Sequence, residues 1–99
     1  MEIQITEESG RKWMKVEGRI DTVTASGFEN KLLEILEGGN SLQIDMGKVV
    51  YVSSAGLRAF LNGQKMANKN GVEMVIHNVT DTVMGIFEMT GFIDILTME

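Results

Sequence analysis

Ninety-nine residues, 43% of them apolar, can enclose one hydrophobic core but not two, so residues 1–99 are read as a single domain. The absence of cysteine excludes disulfides, iron–sulfur clusters, cysteine-built zinc sites and thiolate nucleophiles. A formal charge of −5 gives the electrostatic drive for nucleic-acid binding the wrong sign, so no DNA or RNA partner is expected.

The start of the chain, Met1-Glu2-Ile3-Gln4-Ile5, lacks the basic opening and apolar run of a signal peptide. No stretch reaches the roughly 18 consecutive apolar residues of a membrane span. A cytoplasmic protein without direct membrane insertion is therefore expected. Residues 2–6 alternate polar and apolar, and Met14, Val16 and Ile20 do the same after a turn at Glu8-Ser9-Gly10, which predicts an N-terminal β-hairpin. From Thr24 to Glu37, Phe28, Leu32, Ile35 and Leu36 form one helical stripe that Gly38-Gly39 can stop. Leu42, Ile44 and Met46 alternate as a strand, and Val49-Val50-Tyr51-Val52 reads as its buried, extended continuation.

A second helix is predicted from the two serines that follow, with Leu57, Phe60 and Leu61 inward and Asn70-Gly71 as a left-handed stop. Glu73–Asn78 reads as a strand. Thr80 or Asp81 can cap a third helix that carries Val83, Ile86 and Phe87 inward and ends at Gly91. Ile93-Asp94-Ile95-Leu96 is the predicted last strand. The order is β-β-α-β-α-β-α-β: an α/β domain whose mixed sheet is flanked by helices, with parallel strands joined by right-handed crossovers after an antiparallel opening pair.

The chemistry concentrates where an apolar strand runs into Ser53-Ser54-Ala55-Gly56-Leu57-Arg58. Serine is a preferred N-cap because its oxygen accepts an otherwise unpaired backbone N–H, a contribution of about 1 kcal/mol. One serine suffices for that. The other is a candidate phosphoacceptor, since a helix N-terminus offers free N–H groups and the positive end of the macrodipole to a phosphate. Arg58, Asn62, Lys65 and Lys69 follow at helical spacing as a polar, partly basic stripe; it reads either as a solvated face or as half of a docking surface. His77, the single histidine, sits in a strand with no second ligand, so a structural role is expected and no metal site. Trp13 and the eight methionines read as core filler or as an adaptable surface. No Gly-x-Ser-x-Gly elbow, P-loop or dinucleotide fingerprint is present, so the chain is not expected to be an enzyme or to hold a cofactor.

Gly18-Arg19-Ile20-Asp21, Ile44-Asp45-Met46, Tyr51-Val52-Ser53-Ser54-Ala55-Gly56-Leu57 and Met89-Thr90-Gly91-Phe92 arrive in the order seen in STAS domains, and the chain resembles the anti-sigma factor antagonists over its whole length. The resemblance implies a bacterial partner-switching regulator. Its partner would be an anti-sigma factor that is also a serine kinase of the histidine-kinase-like ATPase fold. That partner would bind ATP, capture the unmodified antagonist and release it once phosphorylated, and a phosphatase would reverse the step. The acceptor implied is Ser54, with Asp21, Ser53, Ser54, Ala55, Gly56, Arg58, Asn62 and Lys65 at the partner-binding face. Asp21 reads equally as a turn or cap residue. The chain departs from the family pattern at Ser53, where many phosphorylated members carry Asp. Three arrangements fit that departure: Ser53 caps while Ser54 is modified, Ser53 is itself the acceptor, or the protein docks with no phosphorylation cycle. An alternative within the family is a non-catalytic subunit of a lipid-transport-type membrane transporter, or a stressosome component.

Overall fold

The computed structural model describes all of residues 1–99. The chain opens with β1 (Glu2–Glu8) and β2 (Arg11–Ile20), an antiparallel hairpin in which Ile5 lies opposite Met14 and Thr6 opposite Trp13. Ser9 and Gly10 at the tip have φ of 54° and 76°, the left-handed pair whose twist suits a two-residue hairpin. Then come α1 (Ala25–Glu37), β3 (Leu42–Val52), α2 (Ser54–Asn70), β4 (Met74–His77), α3 (Asp81–Thr90), a 3₁₀ turn at Phe92–Asp94 and β5 (Thr97–Met98). The expected element order is present, and so is the mixed sheet.

The strands lie side by side in chain order, β1 antiparallel to β2 and all later neighbours parallel. Successive right-handed crossovers that always step the same way across a sheet put every connecting helix on one face. Burial follows that rule. Met14, Val16, Ile44, Met46, Met74 and Ile76 enter a 22-residue core shared with residues of all three helices. The alternate strand positions Lys15 and Glu17 are exposed, and Trp13 and His77 are half-buried on the uncovered face. Each helix contributes one phenylalanine to a fully buried row: Phe28 and Phe60 meet edge-on at 5.0 Å between ring centres, and Phe60 meets Phe87 at 5.7 Å.

Two predicted segments differ. The last strand is not Ile93–Leu96. Gly91, at φ 80°, turns the chain into the 3₁₀ turn, and the N–H groups of Ile95 and Leu96 both donate to the Phe92 carbonyl. Committed to that turn, they cannot join a sheet ladder until Thr97, which pairs with Val75. The run Val49–Val52 is also not uniformly buried: Val49 and Val52 are inside, whereas Val50 is 58% and Tyr51 36% exposed. The pairing of β3 with β2 shifts register twice, and the extra β3 residues turn these side chains outward.

Because Phe60 touches aromatic partners on both neighbouring helices, Phe60→Ala is expected to cost about 3–5 kcal/mol, read as a lower urea midpoint with an unchanged slope. A loss below about 1 kcal/mol would show that the helix layer does not depend on this row.

Candidate functional site

Parallel strands present their C-terminal ends, and the N-termini of the helices that follow them, along one rim of the sheet. At that rim β3 leaves Val52 and becomes α2 within a single residue. Ser53 keeps extended backbone (ψ 177°), and its N–H donates to the Ile20 carbonyl at 2.9 Å, adding one more rung between β3 and β2. The Ser53 hydroxyl accepts from the Gly56 N–H at 3.4 Å and is the N-cap. Ser54 is the first helical residue and is exposed, with no acidic side chain in the first turn of α2. The two hydroxyls therefore do different things: one closes the helix, and the other stands free of that duty at the positive end of the helix dipole.

Gly56 makes this junction possible. A Cβ built on it would lie 2.8 Å from the Ile20 carbonyl oxygen, 2.8 Å from Val52 Cγ1 and 2.9 Å from Ile20 Cγ2. The first turn of α2 thus rests on the backbone at the end of β2. That contact brings the β2–α1 loop, which begins at Asp21, beside the two serines.

The loop is held by its own side chains. Asp21 Oδ1 accepts from the N–H groups of Val23 (3.0 Å) and Thr24 (3.2 Å). The Thr24 hydroxyl accepts from the Asp21 N–H at 2.9 Å and donates to the Arg19 carbonyl at 2.8 Å. Partial burial pushes the Asp21 carboxyl up, but these backbone bonds, the Thr24 hydroxyl and the Arg19 guanidinium outweigh it and hold the group below its ordinary value. Asp21 is therefore ionised at neutral pH and already satisfied as the turn residue. Arg19 Nε lies 3.7 Å from Asp21 Oδ2, and the guanidinium sits over the Tyr51 ring at 4.6 Å from its centre. Arg19 and Tyr51 join the site although neither is among the site residues expected from the sequence. The usable signal was positional: each stands two residues before a site residue, Asp21 and Ser53, on strands that pair in parallel, and Arg19 lies opposite Tyr51 in that pairing.

The remaining expected site residues divide. Arg58 and Lys65 are exposed on α2, as is Lys69, and Ala55 is half-buried. Gly56 is buried, so it permits the approach of α2 without offering contact surface. Asn62 is half-buried and donates to Glu29 Oε1 of α1 at 3.2 Å, which ties it to the seam between the helices and interrupts the polar stripe. His77 lies on the uncovered sheet face, well away from the serines in the fold: its Nε2 is 2.6 Å from Gln43 Oε1, and its ring lies 4.7 Å from that of Trp13.

The STAS domain family profile matches residues 2–99. An anti-sigma-B factor antagonist of Bacillus subtilis is 30% identical over 86 residues, which cover 87% of this chain and 79% of the relative. Among solved structures, an anti-sigma factor antagonist described as putative, from Thermotoga maritima, superposes with a TM-score of 0.87 at 12% identity, covering 97% of this chain and 84% of that one. The anti-sigma factor antagonist SpoIIAA in its unphosphorylated form gives 0.81 at 13% identity over 99% of this chain and 88% of that one. The phosphorylated form of Bacillus SpoIIAA gives 0.74 at 12% identity, over 99% and 91%.

Three substitutions read this geometry. Ser53→Ala should lower stability by about 1 kcal/mol through loss of the cap, whereas Ser54→Ala should change it by less than about 0.5 kcal/mol; equal losses in thermal melts would show that the hydroxyls share the cap. At Gly56 the sign opposes helix propensity. Alanine in an ordinary helical position gains about 1 kcal/mol over glycine, yet Gly56→Ala should destabilise by about 1–3 kcal/mol because the added methyl meets backbone. A stabilised Gly56→Ala variant would show that α2 does not rest on β2 at this point.

Proposed function

The chain belongs to the STAS domain family, and from that premise we propose that it is an anti-sigma factor antagonist that captures a kinase-type anti-sigma factor when unmodified and is released when Ser54 is phosphorylated. The observation that supports this most directly is an exposed Ser54 hydroxyl at a helix start that Ser53 already caps. In the transfer, Ser54 Oγ attacks the γ-phosphorus of ATP held by the partner, the bond to the β-phosphate oxygen breaks, ADP leaves, and the hydroxyl proton passes to a base on the partner. The chain supplies the nucleophile and its position; nucleotide and base belong to the kinase. A phosphatase returns the serine.

The start of α2 itself favours the product. The first turn of α2 has no carboxylate to repel a phosphate, and the dipole there is positive. The consequence for docking is opposite in sign. Phosphorylation adds about −1.5 to −2 charges and three strong acceptors at the rim. Facing a carboxylate or the nucleotide phosphates of the partner, that charge need cost only about 2.7 kcal/mol to weaken binding about a hundredfold. The face that would sense it comprises the start of α2, the exposed Arg58 and Lys65 and the Asp21 loop. Ser53 in place of the Asp of many phosphorylated members leaves this rim one negative charge short of theirs while keeping the cap.

Incubation with a kinase-type anti-sigma factor and ATP, followed by intact mass, should add one phosphate that Ser54→Ala abolishes and Ser53→Ala retains. Loss only in Ser53→Ala would move the acceptor by one residue. Ser54→Asp should weaken partner binding by tenfold to a hundredfold, measured by calorimetry, and full affinity in that variant would rule out the charge switch.

A further inference from the structure

Charge is distributed unevenly along this chain. All nine lysines and arginines lie at or before Lys69, where nine carboxylates balance them. Beyond Lys69 stand Glu73, Asp81, Glu88, Asp94 and Glu99 with no basic residue, so the whole net charge of −5 belongs to the last thirty residues. Two of these carboxylates, Glu88 and Asp94, stand among exposed apolar side chains. Met89 is 88%, Ile93 39% and Ile95 44% exposed, within seven residues that Gly91 folds back on themselves. Beneath them, the half-buried Ile86 and Phe92 connect the patch to the core, so it rests on a firm base.

A third observation lies on α3 itself. Gly85 sits inside the helix, one turn before Met89, and a Cβ added there would meet nothing within 4 Å. Alanine would fit and would favour the helix by about 1 kcal/mol, so nothing in the fold requires the gap. What the gap provides is a flat place on the helix surface where a neighbouring chain can come close. Because α3 runs from the C-terminal end of β4 back to the start of β5, Met89–Ile95 lies at the edge of the sheet opposite the rim that bears Ser54.

We propose that the C-terminal half of α3 and the turn after it form a second docking surface, which receives a cationic amphipathic segment of a partner protein. Its apolar side chains sit on Met89, Ile93 and Ile95, and its lysines or arginines face Glu88 and Asp94. The sign of the charge selects this occupant. Nucleic acid and anionic lipid are repelled by the carboxylates. A second copy meeting the same patch across a two-fold axis would set Glu88 and Asp94 against their own equivalents. A basic amphipathic chain complements both the charge and the apolar surface. The proposal does not depend on the Ser54 reading.

The test uses the full chain with methyl-labelled methionine and isoleucine, titrated with a designed amphipathic helix of lysine and leucine. Saturable methyl shifts are expected at Met89, Ile93 and Ile95 and not at Ile20 beside the serines. Affinity should fall about tenfold in Glu88→Lys/Asp94→Lys, with the melting temperature kept because both carboxylates are exposed, and also in Gly85→Gln, which should melt no lower than the parent because its added side chain meets open space. A scrambled peptide of the same composition that binds as well, shifts centred on Ile20, or equal affinity in the charge-reversed variant would overturn the proposal. Concentration-dependent shifts at Met89 without peptide would replace the partner by a second copy, and equal shifts with phosphatidylglycerol vesicles would replace it by a membrane.

Discussion

The rim depends on one contact, the first turn of α2 seated on the end of β2. Two neighbouring interactions define it: the Ser53 N–H donates to the Ile20 carbonyl, and Gly56 leaves room for that same carbonyl and for the Val52 side chain. A side chain at position 56 would lift the helix start away from β2. The cap, the exposure of Ser54 and the closeness of the Asp21 loop would then all change together, because each is measured from that junction. The site is therefore a property of backbone proximity more than of any reactive side chain, which is reasonable for a surface whose proposed reaction draws its nucleotide and base from a partner.

The sheet's one-sided covering sets the rest of the molecular surface. Since every crossover steps in the same direction, the helices share one face and the other carries polar residues. Gln43 is nearly buried there and is satisfied by His77, as a buried amide must be. The ion pairs of β2 with β1, Lys12–Glu7 and Lys15–Glu8, are long and solvent-exposed and contribute little to stability. Stability resides instead in the phenylalanine row and the apolar strand residues beneath the helices. The chain thus separates its tasks: an apolar layer for folding, a neutral-to-basic rim at the start of α2, and an acidic, partly apolar edge at the end of α3.

Much of this was legible in the residue pattern. Alternation identified the hairpin and β3; the stripes through Phe28 and Phe60 identified α1 and α2; Gly71 and Gly91 end their helices as expected, Gly71 in the left-handed conformation that Asn70-Gly71 suggested. The failures have a common cause. Ile93-Asp94-Ile95-Leu96 alternates like a strand, but the turn after Gly91 had already claimed its N–H groups. Val50 and Tyr51 are apolar like their neighbours, but bulges opposite β2 turned them out. In both places a non-local or cooperative hydrogen-bond choice overrode a local pattern.

For the site, the sequence by itself determined that two hydroxyls stand where a strand becomes a helix, since that follows from periodicity, a capping residue and the glycine nearby. Which hydroxyl caps and which faces solvent was decided only by tertiary structure, because the answer depends on how close α2 comes to β2. The same holds for Arg19 and Tyr51, brought together by parallel pairing across more than thirty residues of chain. Local patterns report which conformations a segment prefers; they carry no information on which distant backbone will lie 2.8 Å from a missing methyl group.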